Sequence, residues 1–241
     1  MDWITQESPV SVVETDLFQS TAEKAAAAQL LVAAELAAFP QDAVLTNSFQ
    51  AEDMVLLDMV RQIRPEIPVL FLDTGYHFAE IYEYRDRMAR EWRMNLMNLL
   101  PEQTVAAQES QFGILNRTDP GKCCALRKVQ PLFAALAGYR LWLTGLRREQ
   151  AKSRAALKQI EDFTLPSGKT IRKISPLSEW SAKDVWVYGQ ERNIPFVSLY
   201  DLGYSSIGCE PCTSLPTDPN DPRSGRWGGQ KLECGIHIQA S

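Results

Sequence analysis

From Ala43 onward, short apolar runs alternate with stretches of helical periodicity, the pattern of a parallel sheet whose strands are joined by crossover helices. Three runs stand out: Ala43-Val-Leu-Thr-Asn-Ser48, Val69-Leu-Phe-Leu-Asp-Thr-Gly75 and Leu141-Trp-Leu-Thr-Gly-Leu-Arg147. Each begins apolar and finishes in small or polar residues. Open parallel sheets bind ligands beyond the carboxyl ends of their strands, so the three ends are predicted to face one crevice, the place for a nucleotide. Ala22 to Phe39 reads as an amphipathic helix ahead of Pro40, serving packing and, if the chain forms a homo-oligomer, subunit contact. Ser48 leads into a helix reaching Ile63. Residues 164–173 hold Pro166-Ser-Gly-Lys169, a hairpin turn, and Ser181-Ala-Lys-Asp184 resembles a capping box opening a structural helix through Tyr188. The fold class expected is α/β, a parallel sheet with helices on both faces.

Size and charge narrow the picture. A chain of 241 residues with 45% hydrophobic composition can bury a full core and fits one domain, taken here as residues 1–214, followed by a mobile Pro- and Gly-rich tail over 215–241. The net charge of -5 argues against nucleic acid as a partner, although local basic clusters can still hold one small anion. No stretch is long and apolar enough to span a membrane, and the opening Met1-Asp2-Trp3 has neither the basic start nor the apolar core of a secretory signal. A cytoplasmic location is expected. Structural disulfides are rare there, so the cysteines point to metal or redox chemistry.

Their arithmetic is four plus one. Cys209 and Cys212 have the spacing for two thiolates on one metal, and Cys123 with Cys124 can complete a four-ligand set. Adjacent cysteines aim their side chains in different directions, a crowding that suits the iron corners of a [4Fe-4S] cluster better than zinc, the alternative. Gly121 to Val129 is predicted to start a helix with both cysteines in its first turn, where the helix dipole favours thiolate. Lys128, one turn on, puts positive charge beside a cluster or a bound anion. Cys234 is left over, close in sequence to Arg223, Arg226, Lys231 and His237, a setting that can hold its thiolate ionised. The N–H groups where the helix after Ser48 begins can receive a phosphate; a plain Ser cap is the other reading.

The segments Lys122-Cys-Cys-Ala-Leu-Arg-Lys128, Ser206-Ile-Gly-Cys-Glu-Pro-Cys-Thr213 and Glu233-Cys-Gly-Ile-His237 resemble the three signature segments of the assimilatory adenylyl-sulfate (APS) reductases, relatives of the phosphoadenylyl-sulfate (PAPS) reductases. The likeness runs from about Ala43 to the C-terminus. It implies an adenine nucleotide α-hydrolase-like fold and reduction of adenylyl sulfate to sulfite and AMP. It also implies a [4Fe-4S] cluster on Cys123, Cys124, Cys209 and Cys212, with Cys234 as the nucleophile that forms an S-sulfonate, and thioredoxin as the dithiol partner that resolves it. For substrate binding it implies Ser48 in a phosphate loop, Leu72 along the adenosine, Gly145 at the adenine and Arg154 at the nucleotide. Lys128, Arg223, Arg226 and His237 would contact the phosphosulfate. Arg147 and Arg148 are read as solvated, and His77 is left without a role. The chain departs from many relatives in having Gln50 and Ala51 where glycine is common. The Ser-Gly-Gly-x-Asp-Ser loop of ATP-cleaving relatives is absent, so the loop is read as binding rather than cutting. Two rivals stand beside this reading: a PAPS or dual-substrate reductase, and a nucleotide-binding iron-sulfur sensor without turnover, which would need no reactive Cys234.

Overall fold

A computed structural model describes residues 19–218, 221–229, 233 and 235–236. The elements run α1 (Thr21–Ala38), β1 (Ala43–Thr46), α2 (Ala51–Ile63), β2 (Pro68–Leu72), α3 (Ala79–Glu91) and β3 (Asn95–Leu99). They continue with α4 (Val105–Phe112), α5 (Leu115–Thr118), α6 (Pro120–Cys124), a π-helical turn (Ala125–Val129) and α7 (Gln130–Leu136). After these come β4 (Leu141–Leu143), β5 (Ile160–Thr164), β6 (Thr170–Ile174) and α8 (Ala182–Glu191), with short 3-10 turns between.

Helix boundaries follow local chemistry. Ser20 caps α1 in a reciprocal box with Glu23, and Ser181 caps α8 in the same way with Asp184, each satisfying N–H groups that a helix start leaves open. The α8 cap also anchors α1, because Asp184 accepts from Thr21 Oγ1 at 2.6 Å and pairs with Lys24 Nζ at 2.7 Å.

The sheet order is β3-β2-β1-β4-β6-β5. Strands β1 to β4 and β6 pair in parallel, whereas β5 is antiparallel to β6. The expected parallel sheet is present, and the expected hairpin adds one antiparallel strand at this edge. The reason is the hairpin turn, where Gly168 at φ 82° reverses the chain too tightly for a crossover. Strand β3, at the opposite edge, gave little signal in the sequence: an edge strand meets solvent, and its Asn95 and Asn98 interrupt the apolar run.

Alternation of side chains along the strands builds two cores. Leu45, Val69, Phe71 and Leu143 pack on the face covered by α1, α2, α3 and α8, with Val32, Met54, Ile81 and Val185 among them. Val44, Leu70 and Trp142 turn to the other face, against Leu132 and Leu136 of α7 and Phe163 of β5. Helices thus cover both faces. Among the described residues no helix is long and apolar enough to cross a membrane.

Candidate active site

The chain leaves β1 towards β2 on one side and β4 towards β6 on the other, so the carboxyl ends of β1 and β4 flank a topological switch point. A crevice open to solvent lies there, with about 1260 Å³ of empty space. Ser48, Leu72, Lys128, Gly145, Arg154, Arg223 and Arg226 all line it. Every expected substrate-binding residue that is described is therefore in one place. His237 and Cys234 lie outside the described residues.

The loop after β1 makes a sharp turn. Phe49 takes φ 62°, a left-handed conformation that costs a non-glycine residue strain. Its ring is fully buried, edge-on to Phe71 at 5.5 Å and Tyr84 at 6.0 Å, which offsets that strain. Asn47 Oδ1 accepts the Phe49 N–H at 2.6 Å, and Asp53 Oδ2 accepts both the Ser48 N–H at 2.7 Å and the Ser48 hydroxyl at 2.6 Å. The Ala51 N–H goes to Tyr200 Oη at 3.0 Å. Three of the N–H groups expected to face a phosphate are thus engaged within the protein, because a buried carboxylate, an amide and a phenol already satisfy them.

Asp53 joins the two strand ends. Besides Ser48 it accepts a backbone hydrogen bond from Gly145, and burial pushes its carboxyl up to about 6 against those bonds. Gly145 has to be glycine: a Cβ there would stand 2.4 Å from Asp53 Oδ1 and 3.0 Å from the Asp53 backbone nitrogen. Beside it Arg147, read from the sequence as solvated, is buried. Its guanidinium holds Glu52 Oε1, Nε at 3.1 Å and Nη2 at 2.6 Å, and donates to the Trp180 carbonyl. Arg148 is the half-buried member of that pair, bonded to Glu179 and to the Leu157 carbonyl.

Next to the crevice a smaller cavity is lined by Cys123, Cys124, Cys209 and Cys212, and Lys128 and Trp227 border both spaces. The helix after the tandem cysteines widens into the π-helical turn, a local irregularity common at functional sites. Arg127 in that turn is buried and donates to the carbonyl of Thr74, whose hydroxyl lies 3.3 Å from Cys209 Sγ. The expected lowering by the helix dipole does not prevail at Cys123. Burial pushes Cys123 up to about 11, reinforced by Cys124, Cys209 and Cys212, and Cys212 is raised for the same reasons. Cys123 and Cys212 therefore resist ionising unless a cation compensates them. They surround the cavity rather than meeting at a point: among the described residues no three His, Cys, Asp or Glu side chains form a single-ion site.

The segment after Leu215 folds back over the crevice in its described parts. Thr213 pairs with Arg226, and Ser214 donates to the Gly225 carbonyl at 2.8 Å. Arg226 and Trp227 are buried, the guanidinium 4.6 Å from the indole centroid. It also lies against Gly208, where a Cβ would come within 1.9 Å of Arg226 Nη2. Arg154 and Arg223 both hold Glu233, the residue preceding Cys234 in the chain.

Asp53 and Glu52 join the site without a signal in the sequence, since carboxylates at a helix start usually read as solvated, and Glu233 lies within a signature segment that gives it no role of its own. His77 also lines the crevice. Burial pushes it down to about 4, so it is a neutral imidazole, bonded through Nε2 to the Leu72 carbonyl at 2.8 Å.

Residues 42–215 match the model of the phosphoadenosine phosphosulfate reductase domain. An adenosine 5'-phosphosulfate reductase of Geobacillus kaustophilus is 42% identical over 203 residues, covering 83% of this chain and 85% of that protein. A phosphoadenosine 5'-phosphosulfate reductase of Gloeobacter violaceus is 41% identical over 216 residues, 88% of each chain. Among solved structures, the phosphoadenylyl-sulfate reductase of Candida auris in a phosphate complex superposes with a TM-score of 0.63 at 26% identity, covering 80% of this chain and 97% of that one. Yeast FAD synthetase in complex with FAD, at 16% identity and a TM-score of 0.61 over 89% of this chain and 71% of that one, shares the fold.

Proposed function

The chain belongs to the phosphoadenosine phosphosulfate reductase family, and from that premise we propose that it reduces adenylyl sulfate to sulfite and AMP. One observation carries the reading. Ser48, Leu72, Gly145, Lys128 and three arginines converge on a single switch-point crevice of an acidic protein, which supplies the local positive charge that a phosphosulfate requires. Arg154, Arg223 and Arg226 can grip its oxygens in paired hydrogen bonds, while the crevice walls at Leu72 and Gly145 receive the nucleoside.

Cys234 is the nucleophile in this reading. Its thiolate attacks the sulfur of the phosphosulfate, a sulfur–sulfur bond forms, and the bridging oxygen–sulfur bond breaks with its electron pair leaving on AMP. The product on the protein is a cysteine S-sulfonate. A thioredoxin thiolate then attacks the Cys234 sulfur, sulfite departs with the bonding pair, and the second thioredoxin thiol resolves the mixed disulfide and restores Cys234. The dithiol supplies the two electrons. Lys128 and the arginines bind and orient the phosphosulfate for attack.

We further propose that Cys123, Cys124, Cys209 and Cys212 hold a [4Fe-4S] cluster. Four thiols ringed round a cavity beside Lys128 suit a cluster that distributes its ligands over separate iron corners. When bound, such a cluster would supply the metal charge that lets those thiols ionise together, and would cross-link α6 to the 209–212 segment.

The test is direct. Purified protein mixed with adenylyl sulfate and reduced thioredoxin should release sulfite, with the Cys234→Ser protein forming neither sulfite nor an S-sulfonate adduct by mass spectrometry. Faster turnover of the 3'-phosphorylated nucleotide would make it a PAPS reductase, and binding without sulfite would make it a sensor.

A further inference from the structure

Gln50 is the N-cap residue of α2, yet its side chain makes no bond to its own helix. The amide spans two segments instead. Nε2 donates to Ser48 Oγ at 3.1 Å, and Oε1 accepts the Ile207 N–H at 2.9 Å. The partners fix the orientation of the amide, since its oxygen meets an N–H and its nitrogen meets a hydroxyl oxygen already donating to Asp53. The result is a continuous relay from Asp53 through Ser48 and Gln50 to Ile207. Ile207 is buried two residues before Cys209, and the Gly208 N–H continues to Thr213 Oγ1 at 3.2 Å. A second tie runs in parallel, the Ala51 N–H on Tyr200 Oη.

We propose that Gln50 is a positioning residue that couples the nucleotide crevice to the cysteine-bearing segment, so that ordering the loop after β1 beside a bound nucleotide also orders Ile207 to Cys212. The inference rests on the reading of the crevice as a nucleotide site. A glycine at position 50 would allow the backbone nearer a ligand but has no side chain to bridge the two segments. The amide gives up that close approach and gains a mechanical link between two cavities that also share Lys128 and Trp227.

Hydrogen exchange on the anaerobically purified protein tests it, comparing the parent with Gln50→Met, which loses both bonds at similar volume, and Gln50→Glu, which keeps an acceptor for the Ile207 N–H. Without ligand, amides across 205–213 should exchange about tenfold faster in Gln50→Met, while Gln50→Glu stays within about twofold of the parent, as loss of one hydrogen bond implies. Parent-like exchange in Gln50→Met, or equal acceleration in both variants, overturns the link. With saturating AMP the parent should slow across both 46–53 and 205–213, and Gln50→Met only across 46–53. Equal slowing at 205–213 in that variant likewise overturns it. If AMP slows neither segment in the parent, the nucleotide reading of the crevice falls, and the ligand-free comparison still decides whether Gln50 links the segments.

Discussion

Arg154 grips Glu233 with both prongs of its guanidinium, Nε to Oε1 at 2.8 Å and Nη2 to Oε2 at 2.9 Å. Ser153 and Arg223 reach the same carboxylate. Only 12% of the arginine side chain and 11% of the glutamate side chain are exposed, so this pair escapes most of the solvent screening that weakens surface ion pairs. An arginine expected to hold the nucleotide thus also holds the residue before Cys234, and an incoming anion competes with a carboxylate for the same donors.

Breaking that pair should free the chain around Cys234. In ligand-free Glu233→Ala protein, alkylation of Cys234, followed by peptide mass spectrometry, should run about tenfold faster than in the parent, a conservative fraction of what a buried pair contributes. Unchanged alkylation would mean that the pair holds nothing. Burial works to raise the Glu233 carboxyl, but the bonds and charges of Arg154 and Arg223 hold it below its usual value. A depressed acid stabilises above its unfolded pKa and loses that contribution as pH falls through the folded one. The latch should therefore persist across neutral pH and release only in acid.

Asp53 makes the opposite prediction. Its carboxyl rises from 3.8 to about 6 because it is buried, so its neutral form is the one the fold favours. Stability from this group is full below about pH 4 and is lost as pH rises through about 6, a swing of roughly 3 kcal/mol. The groups facing it are Glu52 beside it on α2, Arg147 through Glu52, and the Tyr200 phenol. Thermal unfolding of parent and Asp53→Asn between pH 4 and 7 should show the parent losing stability relative to the variant across that window. Parallel curves would place the titration elsewhere. Gly145→Ala belongs with it: the added methyl overlaps Asp53, and a forced shift of about 1–3 kcal/mol should appear as both lower stability and weaker AMP binding.

The strand ends and their crevice were legible in the sequence because a buried parallel strand must be apolar and its ligand end must not be, as in the change from Val69 to Thr74. The turn at Gly168 and the box at Ser181 were legible for the same kind of reason, being fixed by neighbours within a few residues, whereas the Ser20 box came only with the structure. Asp53, Gln50 and Glu233 were not. Their partners lie on other elements, Gln50 with Ile207 and Glu233 with Arg154, 157 and 79 residues apart, and no local pattern records such pairs. Arg147 was misjudged on that ground, since only the fold brings Glu52 to it.

Cysteine replacement should separate the four from the one. Protein purified without oxygen should be brown and carry about four irons per chain, and Ser at Cys123, Cys124, Cys209 or Cys212 should lose most of that iron while Cys234→Ser keeps it. Stoichiometric zinc, or full iron in Cys209→Ser, would refute the ligand set. Iron chelation should also expose the cavity thiols to alkylation, with Cys123 slow to react at neutral pH because its thiol is pushed up to about 11.

In the proposed reaction one sulfur meets a bound phosphosulfate and then a second protein, which would require part of the tail to change position during turnover. The described structure limits where. Arg226 and Trp227 are buried, Thr213 pairs with Arg226, and the Arg226 N–H bonds the Arg223 carbonyl at 2.9 Å. The base of the tail is therefore docked, and Gly228 and Gly229, at φ 57° and 79°, are the first positions where the chain can pivot without steric penalty. Trypsin should cut after Lys231 sooner than after Arg226, and AMP plus sulfite should slow the first cut while leaving the second slow throughout. Glu233→Ala should speed the ligand-free cut at Lys231 further. Early cleavage at Arg226 would instead mean that the whole segment from Leu215 swings as one lid.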